Sequence, residues 1–165
     1  MATLPQLIEE DMRLLDGALR EFIGQTDATA ALIIDKGGFL IAHQGEAGDF
    51  DFTTIGALAS GAFMANQTIA GLVNETNFNS VYQQGEKSSM LVVNIDEHCL
   101  LIVIFSASIG VGIMRYFASG TIRKIAAQLA VAQNRNPGGG YDLSVLNIAD
   151  SESLFRKKNA DELKS

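Results

Sequence analysis

Ala30-Ala-Leu-Ile-Ile-Asp-Lys-Gly-Gly-Phe-Leu-Ile-Ala-His43 decides how this chain folds. Two short apolar runs, Ala30–Ile34 and Phe39–His43, flank the turn residues Asp35-Lys36-Gly37-Gly38. Glycine accepts positive φ at no steric cost, so the chain reverses within this stretch. A connection that short joins antiparallel neighbours, because parallel strands need a long crossover. The segment therefore reads as a β-hairpin.

Upstream, Leu4, Ile8, Met12, Leu15, Leu19 and Phe22 fall three and four residues apart and make one helical stripe. The spacing predicts a helix from Leu4 to Ile23, with Thr3 as N-cap, Pro5 in the first turn and Gly24 as the stop. Downstream, the polar loop 44–51 leads into a second helix predicted from Thr53 to about Asn74. It is rich in small residues, among them Gly56, Ala57, Ala59, Ser60, Gly61, Ala62, Ala65, Ala70 and Gly71. Each helical glycine costs about 1 kcal/mol relative to alanine. Close approach of another backbone is the usual compensation. Phe63, Met64, Ile69, Leu72 and Val73 make the same helix apolar around most of its circumference, so it is expected to be covered on more than one side. In a domain this small, the second cover is expected to be another subunit.

Three more strands follow at Phe78–Gln83, Met90–Ile95 and Leu100–Phe105, separated by turns at 84–87 and 96–98. A third helix is predicted over Val111–Asn134, with a stripe at Ala118, Ile122, Ile125, Leu129 and Ala132. Asn136-Pro-Gly-Gly-Gly140 ends it. The order αββαβββα implies an α/β (α+β) sandwich: a five-stranded, mostly antiparallel sheet with helices on both faces. The domain is placed at residues 3–134. Residues 135–165 form a Gly-rich linker and C-terminal tail, in which 151–158 reads as the start of a short helix.

Composition removes several function classes. With 165 residues, 47% apolar and 19% charged, the chain suits one domain with an ample core. A net charge of −7 without a basic run is the wrong footprint for nucleic acid or an anionic membrane. The apolar run from Cys99 to Met114 is too short and too broken by serine and glycine to span a bilayer. The N-terminus lacks the order of a secretory signal, and a single cysteine suits a reducing compartment, so a cytoplasmic location is expected. Cys99, inside an apolar run, reads as a small core hydrophobe.

No catalytic set emerges. His43 and His98 lie beside turns without metal-ligand spacing, and His98 and Cys99 point to opposite sides of a strand. Ser60-Gly61 lies inside a helix, and Asp35-Lys-Gly-Gly38 joins strands rather than opening a helix as a phosphate loop does. Gly110-Val-Gly112 reads as a strand-to-helix adjustment. Asp49, Asp51, Asp96 and Glu97 read as solvated loop carboxylates. No cofactor, no metal and no activity of its own are expected.

The element order, with Ala31-Leu-Ile-Ile-Asp-Lys-Gly-Gly-Phe-Leu-Ile-Ala-His43, Leu58-Ala-Ser-Gly-Ala-Phe-Met-Ala-Asn-Gln67, Gln84-Gly-Glu86 and Glu97-His-Cys-Leu-Leu-Ile-Val-Ile-Phe105, resembles the roadblock / dynein-light-chain family. The nearest likeness is to its MglB-like bacterial polarity regulators. The resemblance runs from Thr3 to Asn134 and implies the profilin-like roadblock fold. It further implies a homodimer built through the second helix and third strand, with Phe63, Ala70, Phe78, Ser80 and Tyr82 at the interface. Its MglB-like members bind a small Ras-like GTPase (MglA-like) and stimulate GTP hydrolysis by reshaping the GTPase's own switch regions, without supplying an arginine finger. The resemblance places the GTPase contact at Ala57, Ser60, Gly61 and Met64, for each of which helix packing is an equal reading. It adds a possible tail contact through Leu154, Phe155, Arg156, Lys157 and Lys158, where a solvated terminus is the plainer reading. Cell polarity or motility follows from the resemblance alone. Two other functions stay open: a roadblock scaffold that assembles or localises partners, and a ligand sensor, against which the packed strands Leu91–Ile95 and Leu100–Phe105 count.

Overall fold

A computed structural model describes residues 4–46 and 48–135. The Thr3 cap and the tail contacts at Leu154, Phe155, Arg156, Lys157 and Lys158 lie outside the described residues. The elements are α1 (Glu9–Thr26), β1 (Ala30–Asp35), β2 (Leu40–Gly45), α2 (Phe52–Leu72), β3 (Ser80–Gln84), β4 (Ser88–Asn94), β5 (Cys99–Ser106) and α3 (Val111–Arg135). The order is the one expected. All strand pairs are antiparallel, in the order β2-β1-β5-β4-β3.

The sheet closes where β1 meets β5, with Ala30 opposite Ile104 and Asp35 opposite Cys99. These two strands are central and buried on both sides, which explains why neither alternates in polarity. Their side chains sort into two cores. Ala31, Ile33, Leu101, Val103 and Phe105 meet Leu15, Leu19 and Phe22 of α1 and Met114, Ile125 and Leu129 of α3. Ala30, Leu32, Ile34, Leu100, Ile102 and Ile104 face Phe52, Ala59 and Phe63 of α2. One face thus carries two helices and the other carries one. Cys99 is a core residue, and burial pushes its thiol up to about 12.

The first helix differs from its expected bounds at both ends. It begins at Glu9, not Leu4, so Pro5 precedes it rather than sitting in its first turn. Ile8 is extended, and its N–H is donated to the Asp11 carboxylate at 2.9 Å, which starts the helix there. Leu4 and Leu7 still pack against the core. At the other end the helix passes Gly24 and stops at Asp27, which takes the left-handed conformation (φ 56°).

Asp11 does a second job. Fully buried, it accepts from Gln128 (2.7 Å) and from both terminal nitrogens of Arg135 (2.8 and 3.0 Å) on α3. The Arg135 hydrogen bonds hold its carboxyl well below the usual carboxylate range. Lys124 meets Glu21 further along, so α1 and α3 lie antiparallel.

Candidate partner interface

α2 is the element expected to meet a partner. It starts at Asp51, whose carboxylate accepts from the Thr54 hydroxyl and from the Thr54 N–H at 3.1 Å. The Thr54 hydroxyl bond is the largest cause of its lowered carboxyl pKa. Three contacts then seat the helix. A Cβ on Gly56 would stand 3.0 Å from Ile34 Cγ2, so glycine permits the close approach to β1 there. Ser60 donates its hydroxyl to the Lys36 carbonyl in the β1–β2 turn at 2.7 Å. The Gln67 amide serves both backbone groups of Phe78, donating to its carbonyl at 2.8 Å and accepting from its N–H at 3.2 Å.

The inner face of α2 is Phe52, Gly56, Ala59, Ser60, Phe63 and Ala70, all buried. The opposite face is uncovered among the described residues. Leu58 (69% exposed), Ile69 (48%) and Leu72 (79%) share it with Gly61, Ala62 and Ala65. At 100° per residue these six form a stripe roughly 100° wide. The whole helix carries no charged residue. Among the described residues, Gly61 and Gly71 have nothing within 4 Å of where a Cβ would stand, so the described fold gives them no packing reason.

The expected site residues divide on this geometry. Ala57, Gly61 and Met64 are exposed. Met64 also borders a groove of about 440 Å³ of mixed lining, which includes Lys36, Phe63, Phe78, Asn94, Asp96 and Glu97. Ser60, expected at the GTPase contact, is only 3% exposed, and its hydroxyl is bonded to the hairpin turn. Phe63 and Ala70, expected at the dimer interface, are 3% and 0% exposed within the chain itself. Phe78 precedes β3, which begins at Ser80, and is held by Gln67; on β3, Ser80 accepts from Arg115 of α3 at 2.7 Å and Tyr82 stacks on Phe105. The side chains of Ser80 and Tyr82 thus belong to the α1/α3 face. Among the described residues, β3 is the last strand of the sheet, and its outer backbone edge is open.

Sequence reasoning missed Leu58, Ala62, Ala65, Ile69 and Leu72 as the outer stripe, and Gln67 as a clamp. A helix apolar all round has no periodicity to say which face turns inward. The signal for Gln67 was its long amide among apolar neighbours.

The sequence profile of the Roadblock/LC7 domain matches residues 14–105. This chain belongs to the Roadblock/LC7 family. Similar structures include MglB of Myxococcus xanthus, at TM-score 0.72 and 21% identity, covering 77% of this chain and 96% of that one. Another is the gliding protein MglB of Thermus thermophilus, at TM-score 0.72 and 25% identity, covering 79% of this chain and 98% of that one. Among sequences, the uncharacterized protein MJ1340 of Methanocaldococcus jannaschii is 27% identical over 114 residues, which is 69% of this chain and 98% of that protein. The MglB-like roadblock likeness read from the sequence therefore stands, and so does the α+β architecture.

Proposed function

We propose that this protein is a homodimeric regulator that binds a small Ras-like GTPase and stimulates its GTP hydrolysis. One observation carries the reading: among the described residues, the outer stripe of α2, uncharged and built of small and aliphatic residues, and the β3 edge of the sheet are both left uncovered. A second copy offers the same stripe and the same edge, so a twofold arrangement buries both at once. Pairing β3 with its copy extends each five-stranded sheet into one of ten and satisfies the edge backbone groups. Ala62 and Ala65 let the two helices come close.

Ala57, Gly61 and Met64 would then sit on the flank of the helix pair, beside the groove that Met64 borders, as the contact for the GTPase. Phosphoryl transfer is catalysed almost entirely by positioning and electrostatics. A regulator with no reactive group of its own acts by holding the GTPase's switch residues in their productive arrangement. Lys36 is the cation lining that groove, and it belongs to a turn held to α2 through Ser60.

The test is GTP turnover by a Ras-like GTPase of the same organism at rising ratios of this protein. Stimulation that is lost in Met64→Arg, while the variant still dimerises, supports the reading. Tight GTP-dependent binding without stimulation replaces it with a scaffold role, and no binding removes it.

A further inference from the structure

The groove that Met64 borders mixes apolar side chains with acid. Phe63 and Phe78 line it together with Asp96 and Glu97 of the β4–β5 turn, and Lys36 is the one cation in its lining. Both backbone bonds to the Asp96 carboxylate, from the N–H groups of His98 and Cys99 at 2.8 Å, end on Oδ1. Among the described residues, its Oδ2 is therefore open to a donor. The Glu97 side chain is 76% exposed.

The end of α3 lies at the same end of the sheet. α1 passes through 27–29 straight into β1, so its start is turned toward the Asp35–Gly38 end of that strand. Arg135, the last residue of α3, is clasped to Asp11 in the first turn of α1. From there the sequence continues to Ser165, and Leu154-Phe155 stand directly before Arg156-Lys157-Lys158, the only three adjacent cations in the chain. A flexible coil the length of 136–153 spans roughly 23 Å. Crossing from the α3 layer to the α2 layer takes about two helix diameters, roughly 20–24 Å.

We infer that Leu154-Phe155-Arg156-Lys157-Lys158 folds back into this groove of its own chain, with the apolar pair against Met64 and Phe78 and the cations toward Asp96 and Glu97. Charge and reach select this occupant: it joins apolar side chains to positive charge, and its tether starts at the groove's end of the sheet. A short tether holds a segment at an effective concentration in the millimolar range, so even a weak contact is well populated. Seated there, the segment covers part of the Met64 surface assigned above to the GTPase, and the protein restrains itself until the segment is displaced. That consequence rests on the GTPase reading; the intrachain contact does not.

The experiment uses the full chain with Asn79→Cys in the groove lining and Ser153→Cys just ahead of Leu154. Cys99 is buried with its thiol pushed up to about 12, and contributes little background. Mild oxidation should close an intrachain bridge roughly tenfold faster than in Tyr116→Cys/Ser153→Cys, whose first cysteine is exposed on α3 across the sheet. Leu154→Asp should slow the bridge about tenfold. Lys157→Glu should slow it about two- to fivefold, the size of one exposed ion pair, and Glu97→Lys should restore the rate in that chain. Equal rates for Asn79→Cys and Tyr116→Cys, a bridge that joins two chains, or a rate indifferent to Leu154→Asp and Lys157→Glu overturns the contact. GTPase binding that fails to tighten in Leu154→Asp, while the bridge is lost, keeps the contact and removes only its regulatory consequence. No GTPase binding by any variant removes the GTPase reading and leaves the contact standing.

Discussion

The two faces of the sheet are built on different principles. On one, α1 and α3 lie side by side, tied by a buried carboxylate with four donors and by the Lys124–Glu21 pair. On the other, α2 crosses alone, carries no charge, and turns a stripe of leucine, isoleucine, alanine and glycine outward. The first face is finished within the chain. Among the described residues, the second keeps its apolar outer surface and a groove open, the pattern of an interaction surface.

The largest difference should come from matched aromatic truncations. Phe22→Ala, at a site with no exposure between two helices and the sheet, should cost about 3–5 kcal/mol in urea titrations. Phe63→Ala under the lone helix should cost less, near the lower end of that range, because a single helix can settle toward the sheet. Equal costs would mean that the two faces are equally rigid and that the contrast is one of surface only.

Next is the tie that finishes the first face. Asp11→Ala should cost about 2–3 kcal/mol, since it strands Gln128 and Arg135 and unseats the start of α1. A carboxylate with a lowered folded pKa adds stability that is full above its unfolded value, near 4, and fades as pH falls below it. Wild type should therefore lose its advantage over Asp11→Ala progressively from about pH 5 downward, with most of it still present at about pH 3. A gap constant across that window would separate the stability from the ionised carboxylate.

These contrasts also sort what the sequence disclosed. The hairpin at Asp35–Gly38, the element order and the two-sided apolarity of α2 are local or compositional signals, and they were legible. The β1–β5 pairing was not, because hydrophobic runs report burial and not neighbours. Nor was the orientation of α2. Its inner face is selected by Gly56 against Ile34, Ser60 against Lys36 and Gln67 against Phe78, all tertiary contacts. For that reason Ser60, Phe63 and Ala70 were expected at an interface, while Ala62, Ala65 and Ile69 were passed over. Similarly, Asp11 read as one acidic residue among Glu9 and Glu10, and only Arg135 at the far end of α3 distinguishes it.

Ser60→Ala measures how firmly the second face is held from within. It removes the donor to the Lys36 carbonyl and should cost about 1 kcal/mol. If Ser60 only positions the turn, GTPase stimulation should fall through a weaker grip of α2 on the hairpin and return in Ser60→Thr, which keeps the hydroxyl.

The smallest effect on folding is expected where the effect on assembly is greatest. Ala62 is exposed on the outer stripe, and arginine is nearly as good a helix former as alanine. Ala62→Arg should therefore change unfolding stability, measured on dilute monomer, by no more than about 0.5 kcal/mol. In a dimer packed through that stripe, the same side chain would force the helices apart and bury a charge without a partner. Sedimentation should then show a monomer where wild type is a dimer, while Ala127→Arg on the exposed side of α3 should leave assembly intact. If Ala62→Arg remains a dimer, the outer stripe is not the joint. The open face would then be free to bind the GTPase directly, with β3 or another surface holding the copies together.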